Sequence, residues 1–212
     1  MKLQLTSLDQ MRTFAELLAG HLRAGDLLIL SGNLGAGKTT FTQSLGRALG
    51  VAGRITSPTF VIAREHPSLH EGPALVHVDA YRLSGAEELG DLDLDSELEE
   101  SITVVEWGAG LAEQLSSDYL GLTITPMFDL AADGSGAEGD ATADDDADEA
   151  AEKAAEDDAD EDERRLVELH GHGSSWDARL QRVRDSLRTL AGAIEVSEFD
   201  GSDGSADEED SQ

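Results

Sequence analysis

The chain has 212 residues, enough for one domain with a sizeable core, and no cysteine, which excludes disulfides and cysteine-ligated metals. Its formal charge of −30 is extreme, but Asp133–Glu163 carries −15 of it and Ser197–Gln212 another −7, leaving −8 for the rest. A basic stripe for stable nucleic-acid binding is absent, and no apolar run reaches the length of a membrane span or a secretory leader.

Ser7 and Gln10 make a capping-box pair ahead of Met11, Phe14, Leu18 and Leu22, which fall on one helical stripe. Gly25-Asp26 then turns the chain into a strand, LLIL, at residues 27–30. A second helix is expected from Lys38 to Leu49, with Phe41, Leu45 and Leu49 inward and Gly50 as its terminal glycine. Strands follow at Thr59–Ala63, Ala74–Asp79, Ile102–Glu106 and Leu120–Thr125. RLVELHGH resumes strand character at Arg165, so the acidic stretch before it reads as a long insertion between two neighbouring strands. A last helix is expected from about Trp176 to Ala191.

The acidic stretch has no aromatic residue and no Val, Ile or Leu, so it lacks the apolar surface needed to offset ordering entropy. Residues 131–163 are therefore read as a disordered insert and residues 195–212 as a disordered tail, around a domain made of residues 1–130 and 164–194. A solvated spacer is the plain reading of the insert; an acidic arm competing for a basic partner surface is the sharper one.

Between LLIL and the second helix lies SGNLGAGKTTF, in which Gly32, Gly37, Lys38 and Thr39 fit G-x-x-x-x-G-K-[ST]. Glycines let the backbone curl and turn several N–H groups towards one anion, and the helix start adds its positive end. Lys38 supplies a mobile charge to the β- and γ-phosphates, and the Thr39 hydroxyl is a ligand for Mg²⁺. The phosphate-binding set is thus Gly32, Gly35, Ala36, Gly37, Lys38, Thr39 and Thr40. Such a site needs a metal-organising acid at the end of a nearby strand. Asp79 and Glu106 both end apolar strands, and both are candidate metal and catalytic residues. Trp107 beside them either covers the nucleotide or packs in the core. The expected fold class is α/β: a P-loop NTPase-like central sheet with flanking helices, in a single domain.

With ITSPTF at 55–60, HVDAYRL at 77–83 and VVEWG at 104–108 following GNLGAGKTTF, the chain resembles the TsaE family of small bacterial ATPases. These take part in making threonylcarbamoyladenosine in tRNAs that read codons starting with A. The resemblance covers about residues 3–125 and resumes at 164–176. It implies ATP and Mg²⁺ as cofactors, with Gly35, Gly37, Lys38, Thr39 and Thr40 on the phosphates and Thr39 on the metal. It implies further that Thr59 lies on a switch-like loop near the γ-phosphate, that Asp79 is the metal-side acid, and that Glu106 positions water. Trp107 would lie beside the nucleotide. The implied partners are TsaD-like and TsaB-like proteins that ATP binding and hydrolysis regulate or reset, with tRNA met only through that complex, no membrane, and a cytoplasmic location. Two positions depart from the family: Met11 stands where a nucleotide-contacting Thr is frequent, and Gly108-Ala109-Gly110 where another acid is frequent. A GTPase is disfavoured by the lack of N-K-x-D. A small P-loop kinase would want an arginine-rich lid, whereas only Arg54, Arg64 and Arg82 stand between Arg54 and Thr125. A non-hydrolysing ATP-binding scaffold is the other alternative.

Overall fold

The structure, a computed structural model, describes residues 1–57, 63–83, 85–90, 95–128, 163–189 and 195–197. Eight strands occur in it: β1 Lys2–Leu5, β2 Leu27–Ser31, β3 Ala63–His66, β4 Ala74–Asp79, β5 Ser101–Glu106, β6 Tyr119–Pro126, β7 Arg165–His172 and β8 Glu195–Ser197. The helices are α1 Leu8–Ala19, α2 Lys38–Leu49, α3 Ala86–Gly90, α4 Asp95–Glu100 and α5 Ser174–Thr189, with a 3₁₀ turn at Ala112–Leu115. The strands form one mixed α/β sheet in the order β3-β4-β5-β2-β6-β7-β1-β8. Its middle, β4-β5-β2-β6, is parallel; every other pairing is antiparallel.

Parallel strands covered on both faces read as continuous apolar runs, and β5 is buried at all six residues. Leu28 and Leu30 of β2 face a core built with α1, α2 and α5, including Phe14, Phe41 and Trp176. Leu27 and Ile29 face a smaller cluster with Val76, Val78, Leu89, Leu98 and Ala112. Because side chains alternate along a strand, this split places His77, Asp79 and Glu106 on the α2 side of the sheet.

Local signals fixed the long elements well. The Ser7 hydroxyl accepts from the Gln10 amide at 3.3 Å, while the Gln10 side chain accepts from the Thr6 amide at 2.6 Å, one residue earlier than the usual reciprocal bond. Helix α2 has the expected bounds, and Gly50 closes it with φ 67°. Strands β6 and β7 are neighbours with Pro126 opposite Arg165, so the acidic stretch does interrupt an antiparallel pair.

Of the strand expected at 59–63 only Ala63 is described, and it belongs to a strand that runs to His66; Arg64 and Glu65 are exposed, as suits the sheet's edge, and residues 58–62 lie outside the described residues. Three expectations need correction. Glu163, assigned to the insert, lies on the domain, accepting from the Leu8 amide at 3.3 Å. Residues 195–197, assigned to the tail, form β8 on β1, whose outer backbone groups otherwise form a bare edge. The last helix starts at Ser174, two residues before Trp176, and residues 190–191 lie outside the described part. The remainder of the insert, 131–162, and of the tail, 198–212, also lies outside it.

At the sheet end where β2 begins, Arg179 of α5 grips Asp26. Both are 4% exposed, and the guanidinium donates to both carboxylate oxygens, one at 2.7 Å, and to the His21 carbonyl at 2.8 Å. Its plane lies 3.9 Å from the centre of the Trp176 ring. Among the described residues no helix is long and apolar enough to cross a membrane.

Candidate functional site

The opposite end of β2 delivers the chain into the glycine loop. A Cβ at Gly32 would stand 2.2 Å from the Ile124 carbonyl oxygen of β6, so only glycine fits there. Gly37 needs glycine for another reason: φ is 104°, although the space around it is open. It is the N-cap of α2 and provides no side-chain acceptor. The first amides of a helix have no partner within it, so those of α2 are left to an outside acceptor. Together with the helix dipole this is an environment that favours an anion.

The rest of the loop braces itself. The Ala36 amide donates to the Asn33 carbonyl at 3.1 Å, and the Ala36 carbonyl accepts from Arg165 Nε at 3.2 Å. Lys38 is buried, and its ammonium donates to the Gly32 and Asn33 carbonyls at 2.8 and 3.0 Å. It also lies 3.6 Å from the centre of the Trp107 ring. Burial pushes the Lys38 pKa down, while the Glu106 and Asp79 carboxylates pull it the other way. Thr40, half-buried in the first turn of α2, shows only its carbonyl at work, accepting from Ser44 Oγ.

The two acids sit side by side because β4 and β5 are parallel with Asp79 opposite Glu106. Glu106 is 2% exposed; its Oε2 accepts from Thr39 Oγ1 at 2.9 Å and its Oε1 meets His77 Nε2 at 2.7 Å. Asp79 accepts from Ser57 Oγ at 2.8 Å and from the Tyr81 amide at 3.0 Å. Trp107, at φ 60°, is the one left-handed non-glycine among the described residues, a sparsely populated conformation typical of functional sites. Its amide donates to the Leu30 carbonyl, and its ring tilts against Tyr81 at 5.1 Å. The next residue must be small, since a Cβ at Gly108 would meet Val105 at 2.8 Å and Ala112 at 3.0 Å. A carboxylate there would require the sheet and the 3₁₀ turn to part.

The structure therefore gathers Gly32, Gly35, Ala36, Gly37, Lys38, Thr39, Asp79, Glu106 and Trp107 at one end of the sheet, with Thr40 beside them. Of the two roles expected for Trp107, the structure shows packing: its ring lies against Tyr81 and the smaller core cluster, with the Lys38 ammonium over it. Thr59 lies outside the described residues. Sequence reasoning missed Ser57 and His77 as partners of the two acids. The available signals were Ser57 opening S-P-T and His77 lying two residues before Asp79, hence on the same face.

Residues 5–129 match the model of a family described as Threonylcarbamoyl adenosine biosynthesis protein TsaE. The chain belongs to the TsaE family. A Streptomyces coelicolor relative named tRNA threonylcarbamoyladenosine biosynthesis protein TsaE is 64% identical over 115 residues, which make up 54% of this chain and 78% of that one. TsaE of Mycobacterium tuberculosis is 51% identical over 51% of this chain and 68% of its own, and TsaE of Bacillus subtilis 37% identical over 55% and 72%. The crystal structure of Bacillus subtilis YdiB superposes with a TM-score of 0.58 at 23% identity, covering 88% of this chain and 95% of that one. That last likeness is one of fold.

Proposed function

We propose that this TsaE-family chain is an Mg²⁺-dependent ATPase that serves the machinery adding threonylcarbamoyl to tRNA adenosine. The observation that carries the reading is the direct bond between Thr39, at the mouth of the glycine loop, and Glu106, at the end of β5. A hydroxyl and a carboxylate converging where a nucleotide's outer phosphates would lie is the arrangement that Mg²⁺-assisted phosphoryl transfer requires. The family membership and its relatives' names supply the pathway.

The residues fit both ligands. The uncapped first turn of α2 offers amides to phosphate, and Lys38 is a buried cation whose acceptors among the described residues are loop carbonyls. Thr39 and Glu106 would hold the metal, with Asp79 at its side. Among the described residues no group of three or more His, Asp or Glu could hold a metal unaided, which suits an ion ligated largely by phosphate oxygens and water. Bound there, Mg²⁺ would neutralise phosphate charge and polarise the terminal phosphoryl group. Lys38 binds phosphate oxygens, Glu106 aligns the attacking water, and Asp79 ties the Ser57 segment to the site. Trp107 and Tyr81 exclude water from one side.

The transfer chemistry itself belongs to TsaD-like and TsaB-like partners in the cytoplasm, which the ATP-bound chain engages and hydrolysis resets. ATP can drive such a cycle only by favouring one of two states of this chain. With a charge of −30, contact with tRNA runs through the partners. The test is phosphate release from ATP by the purified chain, with and without its own organism's TsaB and TsaD homologues. Release that rises with the partners is expected; ATP binding with no release under either condition would leave the scaffold reading in its place.

A further inference from the structure

We infer that His77 is a positioning residue for Glu106, holding one carboxylate oxygen so that the other stays aimed at Thr39. The inference rests on the ATPase reading above. His77 is fully buried on β4, with Nε2 2.7 Å from Glu106 Oε1. In the β4–β5 register His77 lies opposite Val104 and Asp79 opposite Glu106, so His77 and Glu106 leave the same face one pair apart. A glutamate side chain has several torsions; fixed at both oxygens, by His77 and by Thr39, it keeps one rotamer.

A carboxylate only accepts, so Nε2 carries the proton of this bond. Nδ1 is buried and meets no hydrogen-bond partner among the described residues. An apolar side chain would fill this place without leaving any polar atom unpaired. The imidazole therefore makes sense only through Glu106, its single hydrogen-bonding side chain among the described residues.

Two variants test this in the full chain with its activating partners: His77→Phe keeps the ring and loses the donor, and His77→Gln keeps a donor. Hydrolysis should fall about 10–100-fold in His77→Phe, as is usual when the support of a site residue is removed, and recover to within about fivefold of wild type in His77→Gln. ATP affinity by calorimetry should change by less than about threefold in both, because the lost interaction serves turnover and not binding. Nitrogen NMR of the wild type should show a proton on Nε2 in a hydrogen bond, and Glu106→Ala should alter that signature. Wild-type turnover in a folded His77→Phe, equal losses in the two variants, or a His77 Nε2 signal that Glu106→Ala leaves unchanged would each overturn the inference. If His77→Phe does not fold, the His77→Gln rate and the NMR signature decide. Absence of turnover in the wild type refutes the ATPase reading instead, and the response of the His77 signal to Glu106→Ala then decides this one alone.

Discussion

Arg179→Met should destabilise the domain severely without weakening the nucleotide site. The substitution keeps an apolar stem against Trp176 but removes the guanidinium that makes two bonds to Asp26 and one to the His21 carbonyl. With both partners only 4% exposed, the remaining carboxylate stays buried and keeps only the exposed Arg23 guanidinium, 3.9 Å away, as a charge partner, a change that costs about 3–5 kcal/mol. Loss of the cation's contact with the Trp176 ring adds about 1 kcal/mol. The Arg23 amide, 2.8 Å from Asp26, retains part of the carboxylate's hydrogen bonding, so about 4 kcal/mol is the working figure. That is a large share of the roughly 5–15 kcal/mol that holds a domain together, and at about 2–4 °C per kcal/mol it lowers Tm by about 8–16 °C. Urea denaturation of wild type and variant, compared at equal slope, measures it. A second change, Asp26→Asn, should restore part of the loss by removing the stranded charge. ATP affinity should stay within about twofold, since uncoupled distant sites act independently, and Asp26 precedes β2 whereas the glycine loop follows it. A loss below about 1 kcal/mol would show the pair to be solvated and the account of how α5 is held to be wrong.

Lys38→Ala should abolish ATP binding by calorimetry; unchanged affinity would remove the glycine loop from the site. Glu106→Ala should keep much of the ATP affinity and lose most hydrolysis in the partner-activated assay, and a wild-type rate would pass its role to Asp79. Replacing residues 133–162 with a short Gly-Asn turn, which keeps Glu163 on the Leu8 amide, should leave ATP binding intact and raise Tm slightly, more at low salt than at high, because β6 and β7 already pair up to Pro126 and Arg165. A clear fall in Tm would show that the acidic stretch packs on the domain.

What could be read directly from the chain was whatever neighbouring residues decide. The Ser7–Gln10 cap, the Gly32–Thr39 loop and the Gly50 terminator are each written within a few residues, and all stand where expected. Strands β4 and β5, apolar runs each ending in an acid, were also legible, whereas their pairing side by side was not. Strand β1 was not legible: KLQL has two apolar positions, and its pairing is decided by β7 and β8 at the far end of the chain. Strand β3 reads AREH, a sequence with little strand preference, and is placed by β4 beside it. The bonds of His77 to Glu106 and of Ser57 to Asp79 join separate elements, so the acids could be named from sequence while their partners had only indirect signals.

The position of β1 between β7 and β8 has a consequence for synthesis. Leu5 pairs with Arg165, so the strand made first waits for about 160 further residues before its partner exists. At ribosomal rates of about 5–20 residues per second, that delay is roughly 8–30 s. The glycine loop, Asp79, Glu106 and the parallel strands that present them are all made during the wait. A nascent chain thus carries every residue proposed above to meet the nucleotide while β6 still has an open edge.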